Sequence, residues 1–226
     1  MATLYAIGSL WNVATNWDTS SSGTLPGNGN IPLVTDDVNF NSNSLSMAID
    51  TAAVCASLTS TGYTGTLDQE DTRTLTVSGD IAWAAGTFTG GNAAITAETF
   101  ALTGGAWEST TDTFMIDNAV AAIVTMFLFS GGAYTAPTNS VLQFYRHELY
   151  RTALIDISAA LSLYDLEIRG GWHHSAGIGY YALTTSATVT VTNDLSIERT
   201  HSSWMQINGG SINVEGNYSV AASGPD

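Results

Sequence analysis

The chain has 226 residues, enough for one sizeable core or one elongated array, and carries 44% hydrophobic residues, five arginines, no lysine and a net charge of −15. A surface this acidic cannot displace the counterions of a phosphate backbone, which excludes nucleic acid as a partner class, and the apolar content excludes disorder. The longest apolar run, residues 119–129, falls well short of the roughly 20 residues a membrane helix needs, so no membrane partner is expected.

Residues 1–43 are rich in Asn, Ser, Gly and Asp, and Pro26, Gly27, Gly29 and Pro32 mark turns within them. They form the expected N-terminal cap and docking segment, in which Trp11 and Trp17 cover the open end of a stack. The first residues hold neither a basic n-region nor a long apolar h-region, so no secretory signal is expected. From residue 44 short apolar-alternating stretches follow one another, separated by Gly, Asp or Asn corners, and read as strands. The only cysteine, Cys55, lies in one of them and is expected to be a buried thiol rather than a nucleophile.

A nine-residue pattern then recurs: LTVSGDIAW at 75–83, VTVTNDLSI at 189–197 and INVEGNYSV at 212–220. The last two copies are 23 residues apart and the first two 114, close to five such steps; FALTGGAW joins the pattern at a spacing of 25 if Leu102 replaces Val77. A fixed period in this range marks stacked units that cannot bury their apolar faces alone. The expected fold is all-β: a three-faced, right-handed parallel β-helix over 44–226 with rungs of 23–25 residues. Residues 139–182 interrupt the pattern and are expected to form an irregular insertion. Within them Leu142, Tyr145 and Leu149 have helical spacing and suggest a short helix.

The candidate sites are few. Asp68, Glu70 and Asp71 read first as a solvated turn, and only second as a cation or catalytic site. Asp165, Glu167 and Arg169 alternate in a strand, share one side, and suit a charge ladder in which Arg169 pairs with Glu167. His173 and His174 are adjacent and therefore point to opposite sides of an extended chain, which argues against a metal centre with His201. No phosphate-loop, nucleophile-elbow or calcium-loop pattern is present, so neither metal nor cofactor is expected. The best candidate binding surface is the aromatic and arginine-rich stretch carrying Arg146, Arg151, Trp172, His173, His174, Tyr180 and Tyr181, residue types that interfaces favour. The competing reading is that its rings fill or cap the core.

Residues 36–89 carry a resemblance. Cys55, Ser57, Leu58, Gly62, Tyr63, Gly65, Thr66 and Leu67, followed by Leu75, Thr76, Val77 and Gly79, resemble successive rungs of β-helical virion proteins encoded by bacteriophages. The resemblance implies a non-enzymatic virion structural protein, first a capsid decoration (cement) protein, with its own copies in a homotrimer and the major capsid protein as partners. Two other functions share the fold: a tail fibre or spike gripping host glycan through Trp172, Tyr180 and Tyr181, and a polysaccharide lyase or hydrolase using the carboxylate clusters.

Overall fold

The computed structural model describes residues 2–119, 124–146, 153–170, 180–200 and 204–223. Over these the chain is a parallel β-solenoid, all-β apart from one short 3-10 turn at Ala14–Asn16. No helix among them is long and apolar enough to cross a membrane. Each turn lays down three strands in a constant order, one on each of three faces. A representative turn uses Ser57–Ser60 on the first face, Thr66–Gln69 on the second and Leu75–Val77 on the third, and Asp80–Trp83 then returns to the first.

Parallel pairing in strict register follows from the alternation of small and β-branched outward residues with apolar inward ones. On the first face one inward row runs Leu4, Val38, Leu58, Ile81, Phe100, Phe127, Ile155, Leu183, Ile207. On the third, an eight-stranded sheet, Ala53, Leu75, Ile95, Phe114, Leu142, Leu166, Leu195 and Tyr218 form a second row. Between the rows lies a column of rings. Trp17 meets Phe40 at 6.4 Å, Trp83 meets Trp107 at 5.6 Å, Phe88 stacks on Trp107 at 3.9 Å, and Phe127 closes on Phe144 at 5.5 Å. Such offset and edge contacts add to the burial of large apolar area.

Trp11 and Trp17 pack edge to face at 4.9 Å, fully buried, and the Trp17 indole N–H donates to the Trp11 carbonyl at 2.9 Å. The N-terminal segment does more than cover the end. Its strand Thr3–Ala6 pairs with Asp37–Phe40 on one side and with the two-residue edge strand Trp17–Asp18 on the other.

Three expectations need correction. The helical spacing of Leu142 and Tyr145 is overridden, because Val141–Arg146 is a strand with neighbours on both sides and Leu142 and Phe144 buried inward; Leu149 lies outside the described residues. Period 2 wins here because parallel neighbours hydrogen-bond the strand along its whole length. The described parts of 139–182 are strands in register with the turns before and after.

The repeat is also only partly what its spacing suggests. The last two copies are true neighbours, with Val189 beside Ile212 and Leu195 beside Tyr218. The first copy turns a different corner, from the third face to the first, whereas the later two turn from the second to the third. Leu102 sits beside Trp83 on the first face rather than above Val77. Turn length varies more than 23–25: Ile81 lies beside Phe100, 19 residues on, and Leu166 beside Leu195, 29 residues on. Corners absorb the difference because register constrains only the strands.

One corner shows how tightly the turns stack. The long strands Thr99–Glu108 and Val124–Thr135 bend from the first face to the second at Gly104-Gly105 and Gly131-Gly132. Gly105 has φ +69° and Gly132 φ +79°, and a Cβ on Gly105 would lie 2.5 Å from the Gly86 carbonyl oxygen. Both the left-handed backbone and the obstructing backbone oxygen therefore demand glycine. Gly105→Ala is expected to cost about 1–3 kcal/mol of unfolding free energy in a denaturant titration.

Cys55 is completely buried, and desolvation, helped by the nearby Asp37 charge, pushes its thiol up to about 12. It should stay inert to a thiol reagent in the native protein and react stoichiometrically once denaturant is added.

Candidate functional site

The candidate binding surface is divided by the structure. Arg151, Trp172, His173 and His174 lie outside the described residues. Arg146 and Tyr180 are placed by their backbone alone, Arg146 beside Asn118 and Gly170, Tyr180 beside Trp204. Tyr181 is a correction: its side chain is 3% exposed, in the core, and its hydroxyl donates to the Arg169 carbonyl at 2.5 Å. It faces inward with Leu183 and Thr185, which are also buried, and the hydroxyl finds a partner because a buried phenol left unpaired would be costly. The period-2 reading of Tyr181, Leu183 and Thr185 was the signal for this, and the ring is unavailable to a ligand.

The charge ladder forms as its spacing suggests. On strand Asp165–Gly170 the Arg169 guanidinium meets Glu167 at 2.9 Å and reaches Glu198 on the next turn at 3.6 Å. From the preceding turn the Gln143 amide donates to Glu167 at 2.5 Å. Asp165 accepts from the Asn193 side chain and from the backbone N–H of Asp194, both at 2.8 Å. Asp194 in turn accepts from the Asn217 amide at 2.9 Å. Apart from the Glu167–Arg169 pair within one strand, each link joins one turn to the next. These exposed ion pairs are individually weak, but their register matches that of the strands and reinforces it.

Asp68, Glu70 and Asp71 are exposed around the turn between Thr66–Gln69 and Leu75–Val77, and with Arg73, Thr89, Gly90 and Gly91 they line an open polar groove. This is the solvated-turn arrangement. The residue that builds the turn is Gln69, buried between the acids. Its amide donates to the carbonyls of Arg73 at 2.6 Å and Ala93 at 3.0 Å, and its oxygen accepts from the N–H of Gly91 at 3.1 Å. Sequence reasoning passed over it, since a glutamine among acids has the composition of a loop. Its alternation with the buried Leu67 was the available clue. Among the described residues no group of three or more His, Cys, Asp or Glu side chains is placed to hold a metal ion.

A second acidic corner went unread. Where the third face passes to the first, Asp80 and Asp117 lie close enough for their charges to act on Glu98. Asp80 accepts from the Thr99 hydroxyl at 2.7 Å, and the backbone N–H of Glu98 donates to the Gly79 carbonyl at 2.8 Å. Desolvation, then the charges of Asp80 and Asp117, raise the Glu98 pKa above its ordinary value. The residues involved are far apart in sequence and meet only through stacking of turns.

A carboxyl raised in this way binds its proton more tightly when folded, so stability falls as pH rises from the ordinary Glu range through the raised value. Glu98→Gln should therefore raise the melting temperature at neutral pH, and the gain should vanish below the ordinary Glu range, as a pH series of thermal melts on both proteins would record.

Comparison with protein families, with curated proteins and with solved structures returned no match. Fold and geometry therefore carry the functional reading.

Proposed function

We propose that the protein is a non-enzymatic structural component of a bacteriophage virion, a capsid decoration protein that binds the assembled shell and stabilises it as an oligomer. The observation that carries the reading is how the surface is used. Outward polar groups along the flanks tie one turn to the next, and every large apolar side chain exposed among the described residues lies within residues 10–45 or 207–220. Leu10, Leu25, Leu33, Val34 and Leu45 are exposed on or beside the N-terminal segment, Ile207, Tyr218 and Val220 on the last turn.

A stiff rod that is polar along its length and apolar at its ends suits contacts made end-on. Apolar patches of this kind mark protein contact surfaces. The N-terminal segment is the face this reading assigns to the shell. The rung residues on which the expected resemblance rests fit the same use: Cys55, Leu58, Tyr63, Leu67, Leu75 and Val77 are all buried inward, where they build the rung and not its surface. Shell binding would stabilise the particle by mass action, and the net charge of −15 would keep the free protein soluble and away from a released genome.

The test is binding of the purified chain to undecorated phage capsids, with whole host cells and an acidic polysaccharide in parallel. Saturable capsid binding that raises the temperature of capsid disruption, and that Leu33→Asp combined with Val34→Asp weakens at least tenfold, is the expected result. Cell binding alone would move the protein to the tail, and depolymerisation of the polysaccharide would make it an enzyme.

A further inference from the structure

We propose that the solenoid carries a built-in seam between the turn of residues 124–146 and the turn of residues 153–170, where the later turns open as one block while the earlier turns stay folded. On the second face Met47–Ile49, Thr66–Gln69, Thr87–Thr89 and the far ends of Thr99–Glu108 and Val124–Thr135 pair one after another. Leu161–Leu163, Thr188–Val191 and Ser211–Val214 form a separate three-stranded sheet. No ladder joins Val124–Thr135 to Leu161–Leu163, so the second face is unzipped at this level. The first and third faces remain paired across it, through Ala153–Ile157 and Asp165–Gly170. Even there the first-face pairing shifts register between Thr125 and Phe127.

Packing weakens at the same level. The ring contacts that begin at Trp11 run as far as the Phe127–Phe144 pair. In the next turn the inward side chains are Ile155, Ile157, Leu161, Leu163, Leu166 and Ile168, all buried. Together with Leu142 and Phe144 before them they line an apolar void of about 10 Å³. A void with no polar wall does not hold water, so its lining loses dispersion contacts outright. Tyr134 marks the seam from outside. It follows Met47, Leu67, Phe88 and Trp107 in the inward row of the second face, all 2% exposed or less, yet is itself only partly buried. At Leu161 the row is buried again.

In a stacked array stability is close to a sum over neighbouring turns, so the weakest interface decides where it opens. An interface that lacks one ladder, bears a register shift on another and encloses a void is the weakest among the described turns. Turns continue on both sides of it, so none of these features depends on either end of the chain. The direction of opening follows from the fill of the core. The earlier block holds the ring column, and rings bury more area per residue than the aliphatic side chains of the later one. The bonds that must break are the two remaining ladders and the corner contacts from the Ser158 N–H to the Phe129 carbonyl, at 2.9 Å, and from the Asp165 N–H to the Ser140 carbonyl, at 3.1 Å. Sub-global opening of this kind leaves the rest of a fold intact. The seam goes beyond the capsid reading and is tested on pure protein without capsids, so either can fail alone.

The experiment is hydrogen exchange of the purified 226-residue chain, read by mass spectrometry across a denaturant series. The amides of Ala153–Ile157, Asp165–Gly170 and Thr188–Val191 should lose protection together. At that denaturant concentration those of Ser57–Ser60, Leu75–Val77 and Ile95–Ala97 should still exchange about tenfold more slowly. Leu163→Ala should move the later block's transition to lower denaturant and leave the earlier block's in place. Leu67→Ala, at a buried second-face position of the earlier block, should move that block's own transition. The wild-type chain alone decides the matter if either variant fails to fold. Loss of protection in one step along the whole chain would overturn the proposal. So would a gradual loss spreading strand by strand with no boundary between 146 and 153, or an equal shift of both blocks in Leu163→Ala.

Discussion

Everything in this molecule depends on one constraint: no turn can bury its own apolar side. A strand such as Leu75–Val77 has three residues and two inward side chains, and gains a core only because Ala53–Cys55 and Ile95–Ala97 lie in register on either side. The inward rows and the ring column are two views of that dependence. Stability in such an array is close to a sum over neighbouring turns, so both ends are special. One end is closed by Trp11 and Trp17; the other exposes Ile207, Tyr218 and Val220 in positions that are core elsewhere.

The acidic surface follows the same logic. With no lysine and five arginines, most carboxylates have no cation to face. Four of them accept instead from hydroxyls and amides one turn away: Asp37 from Ser57, Asp80 from Thr99, Asp165 from Asn193, Asp194 from Asn217. A carboxylate is an acceptor with several lone-pair sites, and donors held by the ladder reach it without the entropy cost of fixing a long lysine. Where this fails, as at Glu98 among Asp80 and Asp117, the charge is a local liability.

The functional reading rests on this division of the surface. Polar groups on the flanks tie turns together, and the large apolar side chains exposed among the described residues are Leu10, Leu25, Leu33, Val34, Leu45, Ile207, Tyr218 and Val220. The aromatic stretch that composition favours as a binding surface loses Tyr181 to the core, because a tyrosine on an alternating strand can satisfy its hydroxyl internally. Asp68, Glu70 and Asp71 shape a solvated turn around Gln69. Composition identifies residue types that interfaces favour, whereas the direction of a side chain depends on the strand phase.

The sequence by itself determined the class of fold, the parallel solenoid, since alternation with small-residue corners and a recurring period has few other solutions. It also determined the burial of Cys55, the Trp11 and Trp17 cap and the Glu167–Arg169 pair, all matters of local spacing. Tertiary structure alone decided which corner each repeat turns, since identical short motifs fit more than one corner. It decided that Val141–Arg146 is a strand, because neighbouring strands outweigh a weak helical phase. It brought Glu98 to Asp80 and Asp117, because that meeting depends on which residues stack, and turn lengths from 19 to 34 residues hide that register from any fixed period.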